Sequence, residues 1–269
     1  MIKKVLKATS KATRRLWRNR RVAFLLLALY SSLLGVLYLF ISTREASVLQ
    51  VLLTLIFAAL APALFFILQA VVVGHAQGEV KALVLLRRSL RDSCKLALIS
   101  MPLILVAAIS VYLLNRFQLR PSLLFNLITP AWPTIAAGRL LVPSSRMWQW
   151  WPVLMATLRF MIFAILLPLS AIHLWSATLR DGLLPTLKRV HHTLAVAFTP
   201  SSLLTYTLGL TLFAIIPYFL LFGHTHAAKA WVELALLLAR LLLIFLLTIY
   251  GWTITVYALN KRMKDERRN

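Results

Sequence analysis

The sequence is poor in acid. Seven Asp and Glu stand against 30 Lys and Arg in 269 residues, a formal net charge of +23. Charge of either sign is scarce, at 14% of residues, where a soluble domain carries about a quarter. One cysteine, Cys94, leaves no internal disulfide and excludes a disulfide-built secreted domain. There is no phosphate-cradling glycine-rich loop, no H-E-x-x-H pair and no nucleophile elbow. Paired carboxylates for acid–base work are also missing. The acids are Glu45, Glu79, Asp92, Asp181, Glu233, Asp265 and Glu266, and none sits at the centre of an apolar run. That weighs against a proton- or sodium-coupled carrier built on intramembrane carboxylates. A carrier that holds ions by backbone carbonyls stays open.

What is present is hydrophobicity, 61% of residues, with a pattern in its interruptions. So few polar residues cannot cover a soluble globule, and so many apolar ones exclude a disordered chain. Charge-free windows run over 22–43, 96–115, 160–179 and 241–260, each framed by basic residues. About 20 helical residues cross a hydrocarbon core about 30 Å thick. Two longer gaps, 46–78 and 190–228, each hold one more run of that length. The expected fold is an all-α polytopic transmembrane bundle of six spans, near 22–42, 51–73, 96–115, 155–177, 203–222 and 238–259. They form one membrane domain, 22–260, between a basic segment, 1–21, and a basic tail, 261–269. The segment 121–138 carries Pro121, Pro130 and Pro133, so it reads as interfacial or re-entrant rather than a seventh span. Trp132, Trp148, Trp150 and Trp151 place an outer headgroup layer nearby.

Six spans put both termini on one side. That side collects 22 of the 30 basic residues, so it is expected to be cytoplasmic, in a plasma (inner) membrane. The charged leader of 21 residues is too long for a cleaved signal, the first apolar run is of full span length, and no A-x-A-like site follows it. The leader can lie on an anionic leaflet as an amphipathic helix, through Lys3, Lys4, Lys7, Lys11, Arg14, Arg15 and Arg18. Two basic amphipathic elbows, 78–95 and 181–194, add Arg87, Arg88, Arg91, Lys188 and Arg189 to the same expected contacts. Asp181 is expected to cap the helix of the second elbow. Nucleic acid is not an expected partner, because the basic stretches are tied to span ends.

The elbows Leu86-Arg87-Arg88 and Leu187-Lys188-Arg189, each between apolar spans, carry a resemblance. The chain resembles uncharacterised bacterial multi-span inner-membrane proteins, in the style of the membrane domain of glycerophosphodiester phosphodiesterases. The likeness lies in span pattern over residues 20–260. The catalytic domain of those enzymes is absent, so the resemblance implies no activity and no active-site residue.

Histidines supply the remaining candidate chemistry. His75 and His173 lie near the ends of spans two and four, where imidazoles can ligate a haem iron. The simpler account is an interfacial histidine bonded to backbone or water. His224 and His226 make at most half a zinc site. No cofactor is expected. The expected role is non-catalytic: a scaffold, an accessory subunit with membrane-protein partners, or a lipid-interacting protein. The alternatives are a small transporter for a lipid-like or anionic solute and a cofactor-binding subunit of an electron-transfer complex.

Overall fold

The computed structural model describes residues 10, 13–14, 19–43, 47–79, 81–119, 145–223 and 230–266. Among these there is no strand. The helices are α1 (Arg20–Ser42), α2 (Val48–Gln77), α3 (Ala82–Leu119), α4 (Ser145–Phe160), α5 (Leu167–Asp181), α6 (Leu183–Lys188), α7 (Val190–Ala197), α8 (Pro200–Leu210), α9 (Ile216–Phe222) and α10 (Ala230–Glu266). Two π-helical turns complete them: π1 (Met161–Leu166) joins α4 to α5, and π2 (Thr211–Ile215) joins α8 to α9. Six stretches are long and apolar enough to cross a membrane: Arg20–Ser42, Val48–Gln77, Ala82–Arg116, Pro152–Asp181, Pro200–Phe222 and Ala230–Met263. The chain is an all-α, multi-pass membrane protein.

Spans three, four and six outrun their charge-free windows at both ends, because charge marks where lipid ends and not where a helix ends. Helices end where backbone chemistry ends them. Ser47 opens α2, its hydroxyl accepting from the Gln50 N–H at 3.3 Å. Gly78, at φ 128°, closes it, a conformation that costs glycine nothing. Thr199 caps α8 ahead of Pro200, whose missing N–H is no loss in a first turn. In α3, no breaker separates the basic stretch from the span. The first elbow is therefore the start of one 38-residue helix, about 57 Å long at 1.5 Å per residue. The second elbow is two short helices, α6 and α7. Asp181 does not cap it. Asp181 ends α5 and pairs with Arg180 at 3.0 Å, while Gly182, at φ 92°, takes the break.

The chain divides into two compact units. Met1–Ile99 with Ile172–Asn269 form one, and Ser100–Ala171 form the other. Within the first, burial is concentrated at one end of the helices. It takes in Val22 and Leu26 of α1, 68–73 and His75 of α2, Leu85, Ser89, Asp92 and Leu96 of α3, and all of 172–178. It continues through Ser202, Thr205 and Tyr206 of α8 and 253–256 of α10. Toward the other end, no residue of 34–42, 48–60 or 230–248 is buried. Apolar helices exposed along such lengths match a lipid environment and not water.

Helix α10 runs antiparallel to α8, π2 and α9 in a constant register. Arg262 donates to the Ser201 carbonyl at 2.9 Å, Gly209 faces Thr255, Gly251 faces Phe213, and Arg240 donates to the Gly223 carbonyl. A Cβ on Gly251 would stand 3.2 Å from the Phe213 Cα, so glycine is what permits this approach. Lipid tails supply no hydrophobic drive between helices, so close packing of small residues has to supply the attraction. In the second unit, Arg159 donates to Asn115 at 2.7 Å and ties two helices together.

Candidate functional site

Three features have polar chemistry: a cationic surface, a buried polar layer and the histidines. The surface begins on α3. Leu85, Ser89, Asp92, Ser93 and Leu96 repeat at three- and four-residue steps and are buried. The opposite faces expose Arg87, Arg88 and Arg91 beside Leu83 (78% exposed) and Leu90 (52%). The buried face is thus partly polar, and leucine stands outside with arginine. An interface between headgroups and tails is one setting that satisfies both residue types at once. Asp92 is turned inward and is held by two cations, Arg88 at 3.3 Å and Lys95 at 2.7 Å. A buried carboxylate without such partners would cost several kcal/mol, by the ~3–5 kcal/mol found when one partner of a buried pair is removed.

The second elbow presents the same mixture in a different form. Lys188, Arg189, His191 and His192 are exposed, with Leu184 at 70% and Leu187 at 43%. Thr186 is buried, and its hydroxyl donates to the Gly182 carbonyl at 2.7 Å. Of the basic leader, Arg14 is exposed. Lys3, Lys4, Lys7, Lys11, Arg15 and Arg18 lie outside the described residues.

The buried polar layer lies in the packed end of the first unit. The Trp252 indole donates to Gln69 Oε1 at 2.8 Å, joining spans six and two. The Gln77 amide donates to the Ser176 carbonyl at 3.1 Å, joining spans two and four. Thr253 and Thr255 donate to carbonyls one turn back in their own helix. Around the Trp252 ring, Phe213 and Tyr206 pack edge-on, with centroids 5.2 and 6.1 Å apart along the chain of rings. These are ordinary satisfied bonds of membrane helices, in which one span supplies the donor another needs. None of this layer was legible as a site, because Gln, Trp and Thr within apolar runs look alike whether they face a neighbour or lipid.

His75 and His173 are both buried, on α2 and α5. A His75 ring nitrogen lies 3.2 Å from the Glu79 carbonyl, where α2 ends. His224 and His226 lie outside the described residues, as do Trp132 and the segment 121–138. Among the described residues, no three of His, Cys, Asp and Glu come together as a metal site would require. Trp150 is exposed at 70%.

Sequence reading missed one repeated device. Pro168 lies two residues past π1 and Pro217 two residues past π2. The signal was present: Phe163-Ala164-Ile165 precedes one proline and Phe213-Ala214-Ile215 the other. Proline removes the donor for the carbonyl four residues back and crowds it, and a wider turn relieves the crowding. Accordingly the Leu167 N–H reaches the Ile162 carbonyl and the Ile216 N–H reaches the Thr211 carbonyl, each five residues back.

No family model, curated protein or solved structure matches this chain.

Proposed function

We propose that this multi-pass membrane protein is non-catalytic and holds anionic phospholipid headgroups against a cytoplasmic cationic face. The observation that carries this reading is the exposed mixture of Arg87, Arg88 and Arg91 with Leu83 and Leu90, on a helix continuous with a span. Lys188 and Arg189 repeat the mixture on α6 and its C-terminal turn. Each cation near an anionic leaflet gains about 1 kcal/mol, so several together give a strong preference for charged lipid. The N-terminal leader adds to the same face by the same attraction. Such a protein can act as a scaffold or accessory subunit that organises lipid around membrane-protein partners.

The test is lipid retention. The full chain is purified from a membrane of mixed lipids, and the lipid that stays bound is weighed by class. Enrichment of anionic over zwitterionic lipid, falling as salt is raised, is expected. Equal retention of both classes would reject the reading. A second reading, a small transporter for a lipid-like or anionic solute, is favoured by the buried polar layer and the two π-turns within spans. Uptake of such a solute into vesicles carrying the protein separates it from the first. The electron-transfer reading, through His75 and His173, requires a visible absorption band in the purified protein.

A further inference from the structure

We propose that Arg87 and Arg91 of α3 form one paired site for a lipid whose headgroup is a phosphomonoester. The site rests on the proposed retention of anionic lipid and adds which headgroup is preferred. Charge pairing on α3 leaves these two arginines over. The ion pairs among the described residues are Arg88–Asp92, Lys95–Asp92 and Arg180–Asp181. Asp92 is the only acid of α3, and it is buried between Arg88 and Lys95. Arg87 and Arg91 are exposed, and no carboxylate pairs with either. Residues four apart on a helix are neighbours, with Cβ atoms about 5–6 Å apart. Two guanidinium forks therefore start from one face, near enough to close on a single phosphate. Leu83, Leu90 and Leu98 are exposed at three-, four- and seven-residue steps from these arginines, on the same face. At 1.5 Å per residue, Leu98 lies about 10 Å beyond Arg91 along the helix, toward the apolar length of the span. A lipid fits this face better than a free anion does, because its chains can lie on leucine while its headgroup meets arginine.

Two forks on one headgroup decide which headgroup that is. An arginine grips phosphate through two parallel N–H···O bonds, and these engage two oxygens. A phosphodiester has only two unesterified oxygens and a single negative charge. One fork then uses up its acceptors, and one cation is left uncompensated. A phosphomonoester has three such oxygens and carries about −1.5 to −2 charges at neutral pH. It can receive both forks and balance both cations. Lysine would discriminate less, since an ammonium meets phosphate as a point charge without a fixed fork.

Lipid competition on the full chain tests this. Nanodiscs of phosphatidylcholine carry equal minor fractions of phosphatidate, a monoester, and phosphatidylglycerol, a diester, at about pH 8 so that the monoester is fully ionised. Lipid retained after transfer to detergent is quantified by class. Phosphatidate should be retained over phosphatidylglycerol by at least about fivefold, within the worth of one added charge-assisted hydrogen bond. Arg87→Lys and Arg91→Lys together keep every charge and should lower that ratio at least about threefold. Their retention of phosphatidylglycerol over phosphatidylcholine should stay as it was, which shows the cationic face intact. Equal retention of phosphatidate and phosphatidylglycerol by the native chain, with both enriched over phosphatidylcholine, overturns the paired site and leaves the general preference for anionic lipid standing. Equal retention of all three overturns both. A ratio that the lysine variant keeps overturns the paired site as well. So does full displacement of phosphatidate by a few millimolar inorganic phosphate, which would make the occupant a free anion.

Discussion

Three glycines meet neighbouring helices at the residue scale, and their neighbours differ in how they can yield. A Cβ at Gly74 would stand 2.8 Å from the Leu85 Cδ1, the tip of a flexible side chain. At Gly251 it would stand 3.2 Å from the Phe213 backbone, which cannot rotate away. At Gly209 it would stand 2.8 Å from the Thr255 Cβ. Overpacking costs about 1–3 kcal/mol when the surroundings are stiff. Gly251→Ala and Gly209→Ala should therefore lower the stability of the full chain in detergent by that range, and Gly74→Ala by less. Denaturant titration followed by Trp fluorescence reads the order. A Gln69–Trp252 double-mutant cycle, with Gln69→Leu and Trp252→Phe, should return a coupling of about 0.6–1.7 kcal/mol, from the average to the largest found for hydrogen bonds between membrane helices. A coupling near zero would remove the bond between spans two and six from the account.

At the element scale the two elbows differ in a way their sequences did not disclose. Both read as basic amphipathic stretches between apolar runs. What separated them was Gly182 at φ 92°, which breaks the chain in one, and the lack of any breaker between Lys81 and Leu96 in the other. Trypsin needs a locally unfolded segment, and opening is easier at a turn than inside a long helix. Cleavage after Lys188 and Arg189 should precede cleavage after Arg87, Arg88 and Arg91 by about tenfold, read from fragment masses. Equal rates would contradict the continuity of α3. The spans themselves were legible because charge is expelled from hydrocarbon, which leaves windows of the right length. Their ends were not, since capping and φ decide those. Asp181 is the instructive case: it has the chemistry of a cap, but the glycine beside it takes the break. The π-turns were legible only in retrospect, through the paired Phe-Ala-Ile segments before Pro168 and Pro217.

At the scale of the whole molecule, composition has become an asymmetry. The packed end of the first unit coincides with the span ends that carry most of the Lys and Arg, and the opposite lengths of the helices are bare and apolar. The candidate surface was partly legible, since the arginines of α3 were visible from the sequence. That leucines would share their exposure was not, because amphipathic reading places leucine inward by default. Orientation has a direct probe in Cys94, which is exposed and the chain's only thiol. A membrane-impermeant maleimide should label it in inside-out vesicles and not in right-side-out ones. The reverse pattern would invert the topology and place the cationic face outside.

The central claim is that this face selects anionic lipid, and one comparison tests it most directly. The full chain and a variant carrying Arg87→Gln, Arg91→Gln, Lys188→Gln and Arg189→Gln are reconstituted in identical mixed-lipid nanodiscs. Anionic lipid retained after transfer to detergent is then quantified by mass spectrometry. Asp92 keeps its partners Arg88 and Lys95 in this variant, so the packed end is undisturbed. At about 1 kcal/mol per cation, losing four should reduce the anionic enrichment at least tenfold, with zwitterionic retention unchanged. Equal anionic enrichment in both proteins would contradict the account.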